Sequence, residues 1–440
     1  MDDPRSLVWD KLDSLRQETV ELVSELVRIP SISFKYPGIN QDEIRGGEGR
    51  CNAALALHLE KIGCKVDFVA HEPDRPNCVG VLKGAGGGRS LLFNGHIDTV
   101  PPGDPDQWKW KDPFSGGVED GKVYGLGSCD MKGGIVAQYA AIRAIVESGV
   151  RLKGDLLLSS VVGEETMDHE AGTTAVLRKG YRADAAIVGE PTSYPEPLTI
   201  SPASPGLLFL VVNVTGVATH PGIRAEFVRA GGRGNAAGVN AVEKGALMLD
   251  ALQRLEREWG FSKKHPFFKP GYFTIHPGVI IGGPPGPLVP FIVSTYCRIE
   301  CIVWFPPQET EVAIKAEIES YLTKAAALDS WLAEHPPAFE WRYCWPPFEV
   351  AEGHPILETC VNAYERAART TPRARPQASI HGFAAVCDAT FLTGAGIPTV
   401  IYGPGDILMA HHCDEHVSIE DLMLTAKTLA SVAIDWCSVD

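Results

Sequence analysis

Four apolar runs in this chain are each followed by side chains that bind metals. His96 and Asp98 follow SLLFNG, Glu164 and Glu165 follow LLLSSVVG, and Glu190 follows AAIVG; His411 and His412 lie beyond the run that ends at Tyr402 and its GPG. A short, wholly apolar run reads as a strand buried on both faces, and open α/β sheets bind ligands outside the carboxyl ends of their strands. Residues placed in this way are expected to converge on one site. Singly, each has an ordinary reading. His-x-Asp is commonly a histidine with a local hydrogen bond, Glu190 in GEP a strand-end turn, and Asp130 in GLGSCDMKGG the cap of a helix beginning near Lys132. Two adjacent glutamates are usually solvated, but directly behind an apolar strand a carboxylate is costly unless paired or metal-bound.

Together the set offers oxygen and imidazole ligands suited to zinc, manganese or cobalt, with one spare glutamate to act as a base. Two divalent ions need several carboxylates to neutralise them and one to bridge, which this composition supplies. Competing chemistries lack support, because the chain has neither G-x-S-x-G nor H-E-x-x-H. GAGGG at Gly84 to Gly88 lacks the Lys-Ser/Thr of a phosphate loop and reads as a hairpin turn. Ser418 with Asp421 resembles a capping box that opens the last helix, leaving His412 and His416 in the loop before it. His71, His169, His265, His276, His354 and His381 carry no such pattern.

The elements that must position these groups follow from periodicity. Leu7 to Arg28 and Cys51 to Ile62 read as helices. Runs at Val66 to Val69, Val79 to Leu82, Leu91 to Phe93, Leu156 to Val162, Ala185 to Val188 and Thr399 to Tyr402 alternate with helical stretches at Ile135 to Val146, Thr174 to Arg178 and Pro355 to Ala368, the pattern of an α/β domain. The middle differs: strand Leu207 to Val214, helix Val239 to Arg257, strand Ser294 to Phe305 and helix Glu309 to Ala333 make an α+β layer. At about 150 residues per domain, 440 residues allow two or three domains. A net charge of −15 with no basic block argues against nucleic acid as a partner. Eleven cysteines without tight spacing fit free thiols in a reducing cytoplasm. The acidic N-terminus shows no signal-peptide pattern, and the longest apolar stretch, Leu207 to Val212, is too short to span a bilayer, so a membrane is not expected either.

The segments NGHIDTVPPG, WKWKDPFSGGVEDGKVYGLGSCDMKGG, GEET with AGT after it, VGEPT, GVATHPG, GVNA, GIPTVIYGPG and AHHCDE resemble the dinuclear zinc exopeptidases and deacylases. That group includes acetylornithine deacetylase, succinyl-diaminopimelate desuccinylase, aminoacylase and carboxypeptidase G. The match runs in family order from about residue 8 to residue 437. The resemblance implies a catalytic α/β domain, residues 1–205 and 349–440, with a central mixed sheet flanked by helices, interrupted by a smaller ferredoxin-like α+β lid at 206–348 through which a homodimer forms. It implies two divalent ions, zinc first with cobalt or manganese as alternatives, one held by His96, Asp130 and Glu190 and the other by Asp130, Glu165 and His411, with Asp130 bridging. His411 rather than His412 matches the family spacing to Asp414 and Glu415. Asp98 would orient His96. Glu164 would take a proton from the attacking water and return it to the leaving amine. In the lid, His220 resembles an oxyanion-stabilising histidine and Asn240 a substrate contact.

One departure bears on the substrate. Many members carry Asp-x-Arg-x-x-Pro in a late lid strand, where the Arg grips an α-carboxylate, and the register before Pro307 here gives Ile302, Val303, Trp304. Arg224, Arg229 or Arg233 would have to replace that arginine, and Trp304 would offer an aromatic wall. The resulting expectation is a metal-dependent amidohydrolase that cleaves an N-acyl amino acid or a related small-molecule amide. Alternatives are a dipeptidase or carboxypeptidase, an aminohydrolase of another C–N bond, and a non-catalytic binding protein of the same fold.

Overall fold

The computed structural model describes residues 3–283, 289–372 and 374–440. The chain divides into two compact units, Met1–Ser204 with Phe348–Asp440, and Pro205–Pro347.

The first unit is built on a six-stranded mixed sheet. Its spatial order is Lys65–Ala70, Pro76–Leu82, Leu156–Val161, Leu91–His96, Ala185–Val188 and Thr399–Ile401. The last four strands are mutually parallel, so their carboxyl ends share one edge of the sheet. The first two are antiparallel to their neighbours. Every residue of Leu91–His96, Leu156–Val161 and Ala185–Val188 is buried, as a strand covered on both faces requires. Helices Gly133–Glu147 and Ile419–Cys437 pack on each other and are buried along most of their length. Ser418 caps the last helix, its Oγ accepting the Asp421 N–H at 3.3 Å.

Two local readings change. Leu7 to Arg28 is two helices, Pro4–Ser14 and Arg16–Val27, broken at Leu15. The first packs chiefly on Ile419–Cys437 and the second on the Ser128–Lys132 turn and Gly133–Glu147, and the break lets each half face its own partner. Gly84 to Gly88 is not a hairpin turn, because Leu156–Val161 lies between the strands on either side of it. It is a crossover that bonds instead to residues 152 and 153, Ala85 N to Leu152 O and Gly86 N to Lys153 O, both at 2.8 Å.

The second unit runs strand, helix, strand, strand, helix, strand. Its antiparallel sheet is ordered Ile275–Gly283, Tyr296–Phe305, Gly206–Thr215 and Ala338–Trp345, the ferredoxin-like topology. Leu208, Leu210, Val212 and Val214 alternate into one core with Cys297, Ile299, Cys301 and Val303, beneath Met248, Leu252, Leu255 and Trp259 of helix Ala241–Ser262 and Ile314, Ile318 and Leu322 of helix Glu311–Ala326. Each fully buried aliphatic side chain contributes about 1.5–3 kcal/mol. The strands Ile275–Gly283 and Ala338–Trp345 are additions to the sequence reading, and the second long helix ends at Ala326 rather than Ala333. Beyond it, Asp329 accepts the Trp331 and Leu332 N–H groups at 3.0 and 3.1 Å, which turns the chain. Among the described residues no helix is long and apolar enough to cross a membrane.

Candidate metal centre

The shared strand edge of the first unit gathers the ligating side chains. His96 is the last residue of Leu91–His96. Glu164 and Glu165 open a single turn just after Leu156–Val161. Glu190 follows Ala185–Val188, and His411 lies in the segment beyond Thr399–Ile401. Asp130 sits in the turn Ser128–Lys132 and does not cap the helix that follows it. That helix comes close because Gly134 has no side chain: a Cβ there would lie 1.9 Å from the Gly189 carbonyl oxygen.

Asp130 is the hub. Its Oδ1 is 3.1 Å from His96 Nε2, its Oδ2 is 3.5 Å from His411 Nε2, and His96 Nε2 is 3.9 Å from Glu190 Oε1. His411 Nε2 also lies 3.1 Å from Glu165 Oε2. Ligand atoms of His96, Asp130 and Glu165 all fall within 4.8 Å of one another, a spacing one metal ion can span. The structure therefore brings together all five of His96, Asp130, Glu165, Glu190 and His411, with the two oxygens of Asp130 turned to different histidines. His412 points elsewhere, its Nδ1 against the Cys413 carbonyl.

Asp98 acts in two ways. Its backbone carbonyl, 3.0 Å from His96 Nδ1, can only accept, so Nδ1 carries the proton and Nε2 is presented to the cluster. Its carboxylate is 3.7 Å from that Nδ1 and is instead committed to the N–H groups of Glu164 and Glu165, at 3.3 and 3.1 Å. One residue thus sets a histidine and the glutamate pair at once.

The electrostatics of the cluster call for cations. Burial drives the Glu164 and Glu190 carboxyls well above the ordinary range, against the pull of His96, and neighbouring carboxylates raise them further. Burial also raises Glu165, against its bond to His411. Burial opposes charge on His96, but its hydrogen bond to Asp130 and the nearby Glu190 and Glu164 lift it well above its usual value. Two imidazoles face five carboxyl groups, counting Asp98, Asp130, Glu164, Glu165 and Glu190, an excess of acids that the two rings alone could not neutralise were all of them ionised. The donor set fits divalent metal, which would relieve that excess. Sequence reasoning missed Asp388, a buried acid pushed up to about 6 by burial, whose Oδ1 has no hydrogen-bond partner among the described residues. Its only signal is a lone Asp ahead of a short helix.

The remaining candidates belong to the second unit. Asn240 caps helix Ala241–Ser262, its Oδ1 accepting the Val242 N–H at 3.1 Å. His220 is exposed and accepts the Gly222 N–H through Nδ1 at 3.0 Å. Arg224 is exposed and paired with Glu243 at 2.5 Å. Trp304 is half-buried, on the face of its strand opposite Val303 and Phe305.

The model of Peptidase family M20/M25/M40 matches residues 92–435. The chain is 35% identical, over 97% of both sequences, to N-formyl-4-amino-5-aminomethyl-2-methylpyrimidine deformylase from Bacillus subtilis (strain 168). Its fold matches human carnosine dipeptidase 1 with TM-score 0.72 and 14% identity over 99% of both chains. It also matches a dinuclear metal-binding M20 peptidase from Bacillus subtilis, with TM-score 0.64 and 16% identity over 97% of this chain and all of that one. With a cluster that fits divalent metal and full-length likeness to an amide-cleaving enzyme, the chain belongs to Peptidase family M20/M25/M40 and is a metal-dependent hydrolase of amide C–N bonds.

Proposed function

We propose that this enzyme removes the formyl group from a formylated aminomethyl group on a nitrogen heterocycle, giving formate and the free amine. The observation that carries the reading is the full-length likeness to the pyrimidine deformylase, joined to a site with the acids and imidazoles that amide hydrolysis needs. Trp304 at the place of the family's carboxylate-gripping arginine supports it, since such a substrate has an aromatic ring and no carboxylate.

Bound divalent ions would polarise the formyl carbonyl and lower the pKa of the attacking water. His96, Asp130 and Glu190 would hold one ion, and Asp130, Glu165 and His411 the other, with zinc the first choice. Glu164 takes the proton from the water as it adds to the formyl carbon, then delivers it to the nitrogen as the C–N bond breaks. His220 would donate to the oxyanion, and Asn240 and Arg224 would face the substrate, in a lid unit that also dimerises. The edge strand Ile275–Gly283, with Val279, Ile280 and Ile281 exposed, supports that interface. Eleven cysteines with no disulfide among the described residues support a reducing, cytoplasmic setting.

The test is release of formate from N-formyl aminomethylpyrimidine, beside N-acetyl and N-succinyl amino acids and dipeptides, after chelation and readdition of zinc, cobalt or manganese. Metal-restored formate release with weak turnover elsewhere is the expected result. Efficient hydrolysis of acyl amino acids or dipeptides without formate release would overturn the reading.

A further inference from the structure

Glu164 and Glu165 are presented by one tight turn, from Gly163 to Asp168, that is gripped from two sides. On the cluster side, Asp98 receives the Glu164 and Glu165 N–H groups. On the other side, Asp168 closes the turn with its own N–H on the Gly163 carbonyl at 2.7 Å. Its carboxylate Oδ2 then lies 2.6 Å from Arg75 Nη1 and 2.9 Å from Lys35 Nζ.

Arg75 is only 2% exposed. Its Nε and Nη2 fork onto Glu48, at 2.7 and 3.0 Å, in the first turn of helix Gly47–Lys61. The guanidinium also lies directly against the turn's backbone. Gly163 has a φ of +83°, and a Cβ there would come within 2.8 Å of Arg75 Nη2. A guanidinium buried among carboxylates gives up hydration that apolar packing would not, so such a group is a poor source of stability. What its rigid fork supplies is a fixed position for whatever it holds.

We propose that Arg75, acting through Asp168, is a positioning residue that sets the turn presenting Glu164 and Glu165. The inference rests on the roles proposed above for those two glutamates. Arg75 is tied to the helix through Glu48, and the turn is tied to Arg75 through Asp168. A shift of the turn would move the proton-transferring carboxyl and a metal-binding carboxyl together.

The test compares Asp168→Asn, Glu72→Gln, Arg75→Lys and Glu164→Gln in the full-length enzyme. Asp168→Asn keeps the N–H bond to Gly163 and leaves Arg75 paired with Glu48. Glu72 meets Arg75 Nη1 at 3.1 Å and Lys35 Nζ at 2.8 Å but lies outside the turn. Asp168→Asn is expected to lower kcat by about 10–100-fold with KM unchanged and to speed loss of metal to a chelator, while Glu72→Gln alters neither. Arg75→Lys, which keeps the charge and loses the fork, is expected to fall between wild type and Asp168→Asn. Wild-type kcat and metal retention in Asp168→Asn, or equal losses in Glu72→Gln, would overturn the positioning role. Normal turnover by Glu164→Gln would instead overturn the role of Glu164, and that result is read independently of the other variants.

Discussion

One oxygen of the Glu415 carboxylate receives the backbone N–H of Asp130 at 3.1 Å, and that of Cys129 at 2.9 Å. Glu415 belongs to the segment that carries His411, whereas Asp130 belongs to the turn before helix Gly133–Glu147. The Gly125 N–H adds a third tie, to the Glu415 carbonyl at 2.9 Å. The backbone behind the hub carboxylate is thus stitched to the chain that brings in the second histidine. Glu415 is fully buried, and burial pushes its carboxyl up to about 8.

Glu415→Leu removes this acceptor while filling much of its volume. Two buried N–H groups lose their partner, at a cost of about 1–3 kcal/mol each. The expected outcome is metal affinity lower by about 10–100-fold, measured by competition with a chromophoric chelator, together with a lower thermal midpoint. Wild-type affinity in this variant would show that Asp130 is held without Glu415.

The four parallel strands of the main sheet were legible because they are buried on both faces and read as apolar runs. The strand Ile275–Gly283 was not, since its Pro277 and three glycines read as a loop. Ala338–Trp345 begins with the alternation of a half-covered strand, Phe339 and Trp341 two apart, before a register shift at Trp341/Tyr343 leaves Tyr343 exposed, and the first part of that signal was there to find. The cluster was legible for a topological reason: four parallel strands deliver their next residues to one edge. What no local pattern carried were the groups that hold those residues. Glu415, Arg75 and the Asp98 carboxylate each act on backbone or side chains tens to hundreds of positions away, and only the folded chain brings them together.

Asp421, on the last helix, gives a pH prediction. Burial, with Glu420 adjacent, raises its carboxyl to about 6. A carboxyl that binds its proton more tightly in the folded state than in the unfolded state makes stability fall as pH rises from about 4 to about 6. Asp421→Asn has no proton to lose, so it should be more stable than wild type at pH 7, by on the order of 2 kcal/mol, and should converge with it near pH 4. Thermal midpoints of both proteins from pH 4 to pH 8 check this. Parallel curves would mean that Asp421 titrates as it does in the unfolded chain.

Ile280 tests the sheet edge of the second unit. It is 51% exposed on an edge strand, where a lysine costs the fold little and opposes pairing with a second strand. If copies of the chain join along Ile275–Gly283, Ile280→Lys should halve the mass seen by light scattering and leave the metal content of the first unit intact. A wild-type mass would place any self-association on another surface.

Trp304 tests the substrate reading most directly. Along Tyr296–Phe305, Cys297, Ile299, Cys301, Val303 and Phe305 turn into the helix-covered core, while Arg298, Glu300, Ile302 and Trp304 occupy the opposite face. Leu207 and Phe209 stand across from Trp304 and Ile302 on the neighbouring strand, so the tryptophan sits at an apolar end of that face. If it receives the heterocycle, Trp304→Ala forfeits a ring contact worth about 0.5–1.5 kcal/mol beyond area burial. KM for N-formyl aminomethylpyrimidine should then rise by up to about tenfold with kcat little changed. A ring-free formamide such as N-formylethylamine makes no such contact, so its kcat/KM should stay at the wild-type value. Equal losses on both substrates would assign Trp304 to packing of the second unit's sheet, and the ring would have to be recognised by other residues.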